Sequence, residues 1–301
     1  MRNHLLIFLL MFMGSSAFAQ GPEVVIPRPN EVKLSDGVYT YEQEPSVKVS
    51  YLKGKYGPEE YQISITKRGV KILVSTQAGE FYARQTLEQM TQRGECKTLR
   101  CCEIKDAPRF GYRGLHVDVS RHFRSVEFLK KQIDAMVMFK MNRMHLHLTD
   151  AAGWRMQIDA YPRLTSFDAW RPQPTWKEWW AGNRHYAEEG AAGASGGYYT
   201  KEQMRELVEY ARERHVEIIP EIEMPSHSEE VLAAYPELGC SGEAYKDSDF
   251  CVGNEEVFRF LETVLTEVME VFPSKYIHIG GDEAGKAHWK TCPKCIQSMK
   301  E

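Results

Sequence analysis

Residues 62–65 and 70–74 alternate polar and apolar side chains around a Lys67-Arg68-Gly69 turn, which predicts a pair of strands. Residues 81–90 predict a helix. Pro108, in Asp106-Ala107-Pro108, suits neither periodic structure and predicts a boundary. Beyond it the pattern becomes strand, helix, strand, helix. Strands are expected at 115–119, 144–148, 216–222 and 276–279. Leu129, Ile133, Met136 and Val137 fall on one face of a helix that begins at Ser125. Met204, Leu207, Val208 and Ala211 do the same after a Thr200/Gln203 capping box. Val257, Leu261, Val264, Leu265 and Val268 follow an Asn254 cap. A long loop rich in Gly and Trp is expected at 151–199.

Alternating strands and helices imply a parallel sheet, either doubly wound or closed into a barrel. No Gly-rich loop follows the first strand of the series, which weakens a nucleotide-binding reading. Polar residues instead gather at the C-terminal ends of the strands: Asp118, Ser120 and Arg121; Asp150; Glu223 and His227; Asp282 and Glu283. That end carries the chemistry in both folds, most markedly in the (β/α)8 barrel. The expected fold class is α/β. A (β/α)8 TIM barrel occupies residues 108–301, preceded by a small α+β domain at 21–107. A full barrel takes about 250 residues and eight strands. About four βα units are legible, so the barrel is expected to be C-terminally truncated.

Residues 1–20 read as a signal peptide: Arg2, an apolar run from Leu5 to Met13, and an Ala17-Phe18-Ala19 cleavage site. The mature protein is therefore expected to be secreted or periplasmic. No later segment is apolar enough to span a bilayer, so no stable membrane insertion is expected. The formal net charge of −4 argues against a nucleic-acid partner, which needs a basic face. Outside the cytoplasm, a disulfide between Cys240 and Cys251 becomes possible. Cys292-Pro-Lys-Cys295 has the spacing of half a metal site, but no second C-x-x-C completes it. A redox pair, a local disulfide or free thiols stay open beside that reading.

The chemistry concentrates in Gly280-Gly281-Asp282-Glu283, directly after the last expected strand. If both carboxylates face a pocket, desolvation and the neighbouring charge should raise the pKa of one, as a general acid requires. A capped turn with a solvated Glu is the plainer alternative. Arg121 could fork hydrogen bonds to sugar hydroxyls or serve as an ion-pair partner. His145 and His147, two apart on a strand, share a face and could bind a divalent metal, which leaves a metal-dependent barrel hydrolase as a competing reading. His227, in register with the other strand ends, joins the candidates.

Four blocks in order carry a resemblance. These are Arg113-Gly-Leu-His-Val-Asp-Val-Ser-Arg-His122, His145-Leu-His-Leu-Thr-Asp150 with Gly153-Trp-Arg155, Glu221-Ile-Glu-Met-Pro-Ser-His-Ser228, and His278-Ile-Gly-Gly-Asp-Glu283. Together they resemble the family 20 glycoside hydrolases, the β-N-acetylhexosaminidases. The resemblance implies N-acetylhexosamine-containing glycans as substrates, no cofactor and no metal. It also implies a retaining mechanism in which the substrate's own 2-acetamido oxygen attacks the anomeric carbon. Glu283 would be the acid/base and Asp282 would orient the acetamido group. Arg121 would hold ring hydroxyls, and Asp150 and His227, with His147, would tune Glu283. The sequence departs from the family at Ala151, where a second Asp is usual, and at Ser226, where Gly is usual. The Trp and Tyr residues that close the family's acetamido pocket come from later strands, beyond Glu301. A sugar-binding or inert remnant is therefore the alternative to an enzyme.

Overall fold

The computed structural model describes residues 19–301, and the expected signal peptide lies almost wholly outside the described residues. The chain divides into two compact units, one ending at Arg109 and one running Phe110–Glu301.

The first unit is a five-stranded sheet with one helix. Its elements are β1 (Glu31–Thr40), β2 (Val47–Tyr51), β3 (Tyr61–Thr66), β4 (Gly69–Val74), α1 (Gln77–Met90) and β5 (Thr98–Asp106), in sheet order β1-β5-β3-β4-β2. The period-two pattern decides which face is covered. Tyr61, Ile63 and Ile65 of β3, with Val70, Ile72 and Val74 of β4, are buried with Tyr82, Ala83 and Leu87 of α1. Thr76 caps α1 by accepting from the Gly79 N–H, so the helix starts four residues before the sequence pattern suggests.

The second unit opens with β6 (Gly114–Asp118), α2 (Val126–Met138) and β7 (Arg143–His147). Then come α3 (Arg163–Ser166), β8 (Trp170–Arg171), α4 (Trp176–Ala181) and β9 (Ser195–Gly196). It closes with α5 (Lys201–Arg212), β10 (Glu217–Glu221), α6 (Glu229–Ala234), α7 (Glu255–Met269) and α8 (Pro293–Ser298). β10, β7 and β6 form a parallel sheet in that order. Leu129, Ile133, Met136 and Val137 of α2 are buried, as are Met204, Leu207 and Ala211 of α5. On α7 the buried stripe is Val257, Phe260, Val264 and Val268, with Leu261 and Leu265 only half-buried. No helix among the described residues is long and apolar enough to cross a membrane.

Two expectations need correction. Residues 276–279 do not form a fourth strand; a single parallel bridge joins His278 to Glu221. The segment does run beside β10, since the His278 N–H donates to the Pro220 carbonyl at 2.9 Å and its own carbonyl accepts from Ile222 at 3.0 Å. Its apolar side chains Tyr276 and Ile279 are exposed, so burial does not extend the pairing. Residues 151–199 are also not one loop. They hold α3, α4 and the β8–β9 pair, packed by Trp154 and Trp179, both fully buried.

Candidate active site

Parallel pairing sets Asp118, His147 and Glu221 side by side as register partners at the C-terminal ends of β6, β7 and β10. The residues that follow each strand then converge. Asp150 is buried and draws in three basic side chains: Arg121 Nη2 at 2.7 Å, His147 Nε2 at 3.2 Å and His227 Nδ1 at 3.7 Å. Asp118 holds Arg121 from the other side at 3.1 Å and also accepts the backbone N–H groups of Ser120 and Arg121. His227 Nε2 lies 3.4 Å from a carboxylate oxygen of Asp282 and 3.4 Å from one of Glu283. These are ion-pair separations, and neither is a formed hydrogen bond. All six residues singled out by sequence (Arg121, His147, Asp150, His227, Asp282 and Glu283) thus meet in one chain of contacts.

Glu221 anchors the floor. Its carboxylate meets His147 Nδ1 at 2.7 Å, His145 Nε2 at 2.8 Å, His278 Nδ1 at 2.6 Å and His116 Nε2 at 3.6 Å. Burial alone would raise the Glu221 pKa, but hydrogen bonds from His145 and His147 outweigh it and hold the carboxyl well below its usual range. Burial opposes charge on His147, yet Asp150 and Glu221 prevail and push its pKa up to about 10. The imidazolium then donates from both ring nitrogens, to Glu221 and to Asp150. His145 and His147 do share a face, and that face is turned to a carboxylate.

The carboxyl beside the Asp282/Glu283 turn whose pKa rises is Glu223, pushed up to about 7 by burial and by the charges of Asp282 and Glu221. The Gly281 N–H donates to it at 3.3 Å. Asp282 and Glu283 have side chains 64% and 80% exposed, so the desolvation expected for that pair falls on Glu223 instead. Glu223 also explains the first glycine of the motif. Gly280 has φ +60°, and a Cβ there would sit 1.7 Å from Glu223 Oε2. Two residues that are not glycine, His227 (φ 50°) and Glu283 (φ 55°), also hold left-handed backbone. Such conformations are uncommon and tend to cluster at working sites. Ser226, one of the departures noted above, is engaged: its hydroxyl donates to the Asp282 carbonyl and ties the two loops together.

Arg155 supports the site from below. It is completely buried and donates to the carbonyls of Ser120 (2.6 Å), Val119 (3.2 Å), Ala152 (3.3 Å), Ala169 (2.5 Å) and Gly197 (3.0 Å). One guanidinium thereby pins residues 152–197 to the end of β6. Sequence reasoning gave no role to Glu221, Glu223, His278 or Arg155. The available signal was histidine recurring on the strands (His116, His145, His147), whose ring N–H groups call for a hydrogen-bond acceptor among them.

The Cys240–Cys251 disulfide that the sequence left open is not formed, and all seven cysteines are free.

Residues 110–301 match the sequence profile described as glycosyl hydrolase family 20, catalytic domain, and residues 44–107 match that family's domain 2. The chain belongs to glycosyl hydrolase family 20. This family 20 chain is 42% identical to a beta-hexosaminidase of Porphyromonas gingivalis over 260 residues, covering 81% of itself and 31% of that relative. It is 32% identical to a beta-hexosaminidase of Akkermansia muciniphila over 305 residues, covering 96% and 58%. A solved structure of a mutant Streptomyces plicatus beta-hexosaminidase in complex with product (GlcNAc) matches with TM-score 0.75 at 30% identity, over 92% of this chain and 62% of that one. The family 20 chain spans less than two thirds of the length of each of these relatives.

Proposed function

We propose that the gene product containing these residues is an exported β-N-acetylhexosaminidase, removing terminal N-acetylhexosamine from the non-reducing ends of glycans. On this reading β6, β7 and β10 are the first strands of a (β/α)8 barrel. The observation that carries the proposal is the run of contacts Arg121–Asp150–His227–Asp282/Glu283 at the C-terminal end of the parallel strands.

In the proposed reaction the acetamido oxygen of the substrate attacks C1 while Glu283 gives its proton to the departing glycosidic oxygen. The C1–O bond breaks with the electron pair leaving on that oxygen, and an oxazolinium ion remains. The Glu283 carboxylate then takes a proton from water, and the water oxygen attacks C1 and reopens the ring. Two inversions retain the configuration. Asp282 faces the acetamido nitrogen, where positive charge grows, and a fixed carboxylate there stabilises the transition state. His227 touches both carboxylates and is itself held by Asp150, so it sets their positions. Arg121, already held on two sides by Asp118 and Asp150, keeps its guanidinium oriented toward ring hydroxyls.

The test is hydrolysis of an aryl N-acetyl-β-glucosaminide by the whole gene product and its Glu283→Gln and Asp282→Asn variants. Removing the acid/base should cost about 10²-fold or more with poor leaving groups. Asp282→Asn should slow the reaction strongly while the far-UV circular dichroism stays unchanged. Near-normal rates in both variants would remove these roles, and a silent wild type would leave a sugar-binding protein.

A further inference from the structure

Two pairs of cysteines from separate stretches of the chain, Cys240 with Cys251 and Cys292 with Cys295, meet in the second unit. The sulfur atoms of Cys240, Cys251, Cys292 and Cys295 all lie within 4.8 Å of one another. Three separations are 3.8 Å (Cys240–Cys295), 3.7 Å (Cys251–Cys292) and 3.6 Å (Cys251–Cys295). We infer that these four sulfurs form a structural tetrathiolate site for a single Zn²⁺ ion.

The distances discriminate between the chemistries open to four thiols. A tetrahedral zinc with Zn–S bonds of about 2.3 Å sets every S···S edge at about 3.8 Å. A pair of disulfides would single out two partners at about 2.05 Å. Here Cys251 is as close to Cys295 as to Cys292, so no disulfide partner is singled out, and the three separations of 3.6 to 3.8 Å match the tetrahedral edge while all four sulfurs stay within 4.8 Å. Burial agrees, since Cys251, Cys292 and Cys295 are buried together and Cys240 half-buried beside them, with Trp289 and Val252 packed around.

The backbone comes close at this point: a Cβ at Gly253 would stand 2.3 Å from the Lys294 carbonyl carbon and 2.4 Å from the Cys295 nitrogen, so only glycine lets the Cys251 loop approach the Cys292-Pro-Lys-Cys295 turn. The missing half of the C-x-x-C pattern comes from a bridge between Gly239 and Phe250, which brings the neighbouring Cys240 and Cys251 to the same place.

On binding, four thiols release four protons and the ion takes four thiolate ligands. The ion would join the loop at 239–253 to α8. The chain between Glu283 and α8 is irregular and touches that loop through the Gly285 N–H to Asp249 (3.0 Å) and the Trp289 indole to the Phe250 carbonyl (2.9 Å). The metal would thus fix the stretch that leaves the Asp282/Glu283 turn. The inference is independent of the hydrolase proposal.

The experiment is elemental analysis of the exported, purified full chain, with peptide mass mapping under non-reducing conditions. We expect about one zinc per chain, Cys240, Cys251, Cys292 and Cys295 all reduced, and zinc released as a mercurial reagent consumes four thiols. Cobalt substituted for zinc should give the intense visible absorption of a tetrahedral tetrathiolate. Disulfides among these four cysteines, or four alkylatable thiols without metal, would overturn the inference. A Cys292→Ser/Cys295→Ser variant should lose the zinc, and full retention would place the ion elsewhere. Should that variant fail to fold, the cobalt spectrum of the wild type decides.

Discussion

Gly280→Ala tests whether the glycine exists for the sake of Glu223. An alanine at φ +60° carries the left-handed penalty of about 1–2 kcal/mol. Its Cβ would also stand 1.7 Å from Glu223 Oε2. The obstacle is the tip of a side chain and not backbone, so the carboxyl should swing away and the turn should survive. Moving it breaks the bond from the Gly281 N–H, worth about 1 kcal/mol, and leaves a buried carboxyl to find another place. The total is about 2–3 kcal/mol. Gly281→Ala is the control. It has φ +97° but meets nothing nearer than the Met224 carbonyl at 3.6 Å, so only the backbone penalty applies. Glu223→Ala empties the space the new methyl needs. A double-mutant cycle of Gly280→Ala with Glu223→Ala, followed by urea unfolding, should therefore give a coupling of about 1–2 kcal/mol, the double variant losing less than the sum. Coupling below about 0.5 kcal/mol would mean that the two residues do not contend for that space, and the explanation of Gly280 would fail.

Two further outcomes follow from the same geometry. Glu223 and His147 both have folded pKa values above their usual ones, so each contributes stability at low pH that is lost as pH rises, between 4.5 and about 7 for Glu223 and between 6.5 and about 10 for His147. Urea midpoints measured against pH should show both declines, with Glu223→Gln flattening the first and His147→Gln the second; unchanged slopes in the variants would assign the declines to other groups. Arg155→Met should destabilise the fold by more than about 3 kcal/mol, because several buried carbonyls lose their donor at once. Limited proteolysis should then cut first within residues 152–197, and a loss confined to other segments would contradict the pinning role.

What was legible in the sequence depended on one-sided burial. β3 and β4 alternate cleanly because one face is core, and α2, α5 and α7 carry apolar stripes for the same reason. β1 was invisible because it is an edge strand with a register shift between Leu34 and Val38 and only one buried residue, Tyr39. β5 was hidden by the adjacent buried pair Cys101 and Cys102, which breaks the alternation. Residues 276–279 have strand composition, yet their ladder amounts to one bridge.

The site divides along the same line. Asp118, Asp150, His227, Asp282 and Glu283 could be picked out because each follows a strand and so lands at the same end of a parallel sheet. Glu221 and Glu223 could not be ranked, since their roles come from partners 58 to 76 positions away: His145 and His147 for Glu221, Gly281 for Glu223. The four-cysteine cluster failed for the same reason. C-x-x-C spacing reports a turn within one segment, and Cys240 and Cys251 could be paired with each other, but nothing in the sequence brings that pair to Cys292 and Cys295. Local pattern therefore located the polar end of the sheet. The balance of charge within it, an anion under four imidazoles with a protonatable carboxyl under a glycine turn, is a property of the folded contacts alone.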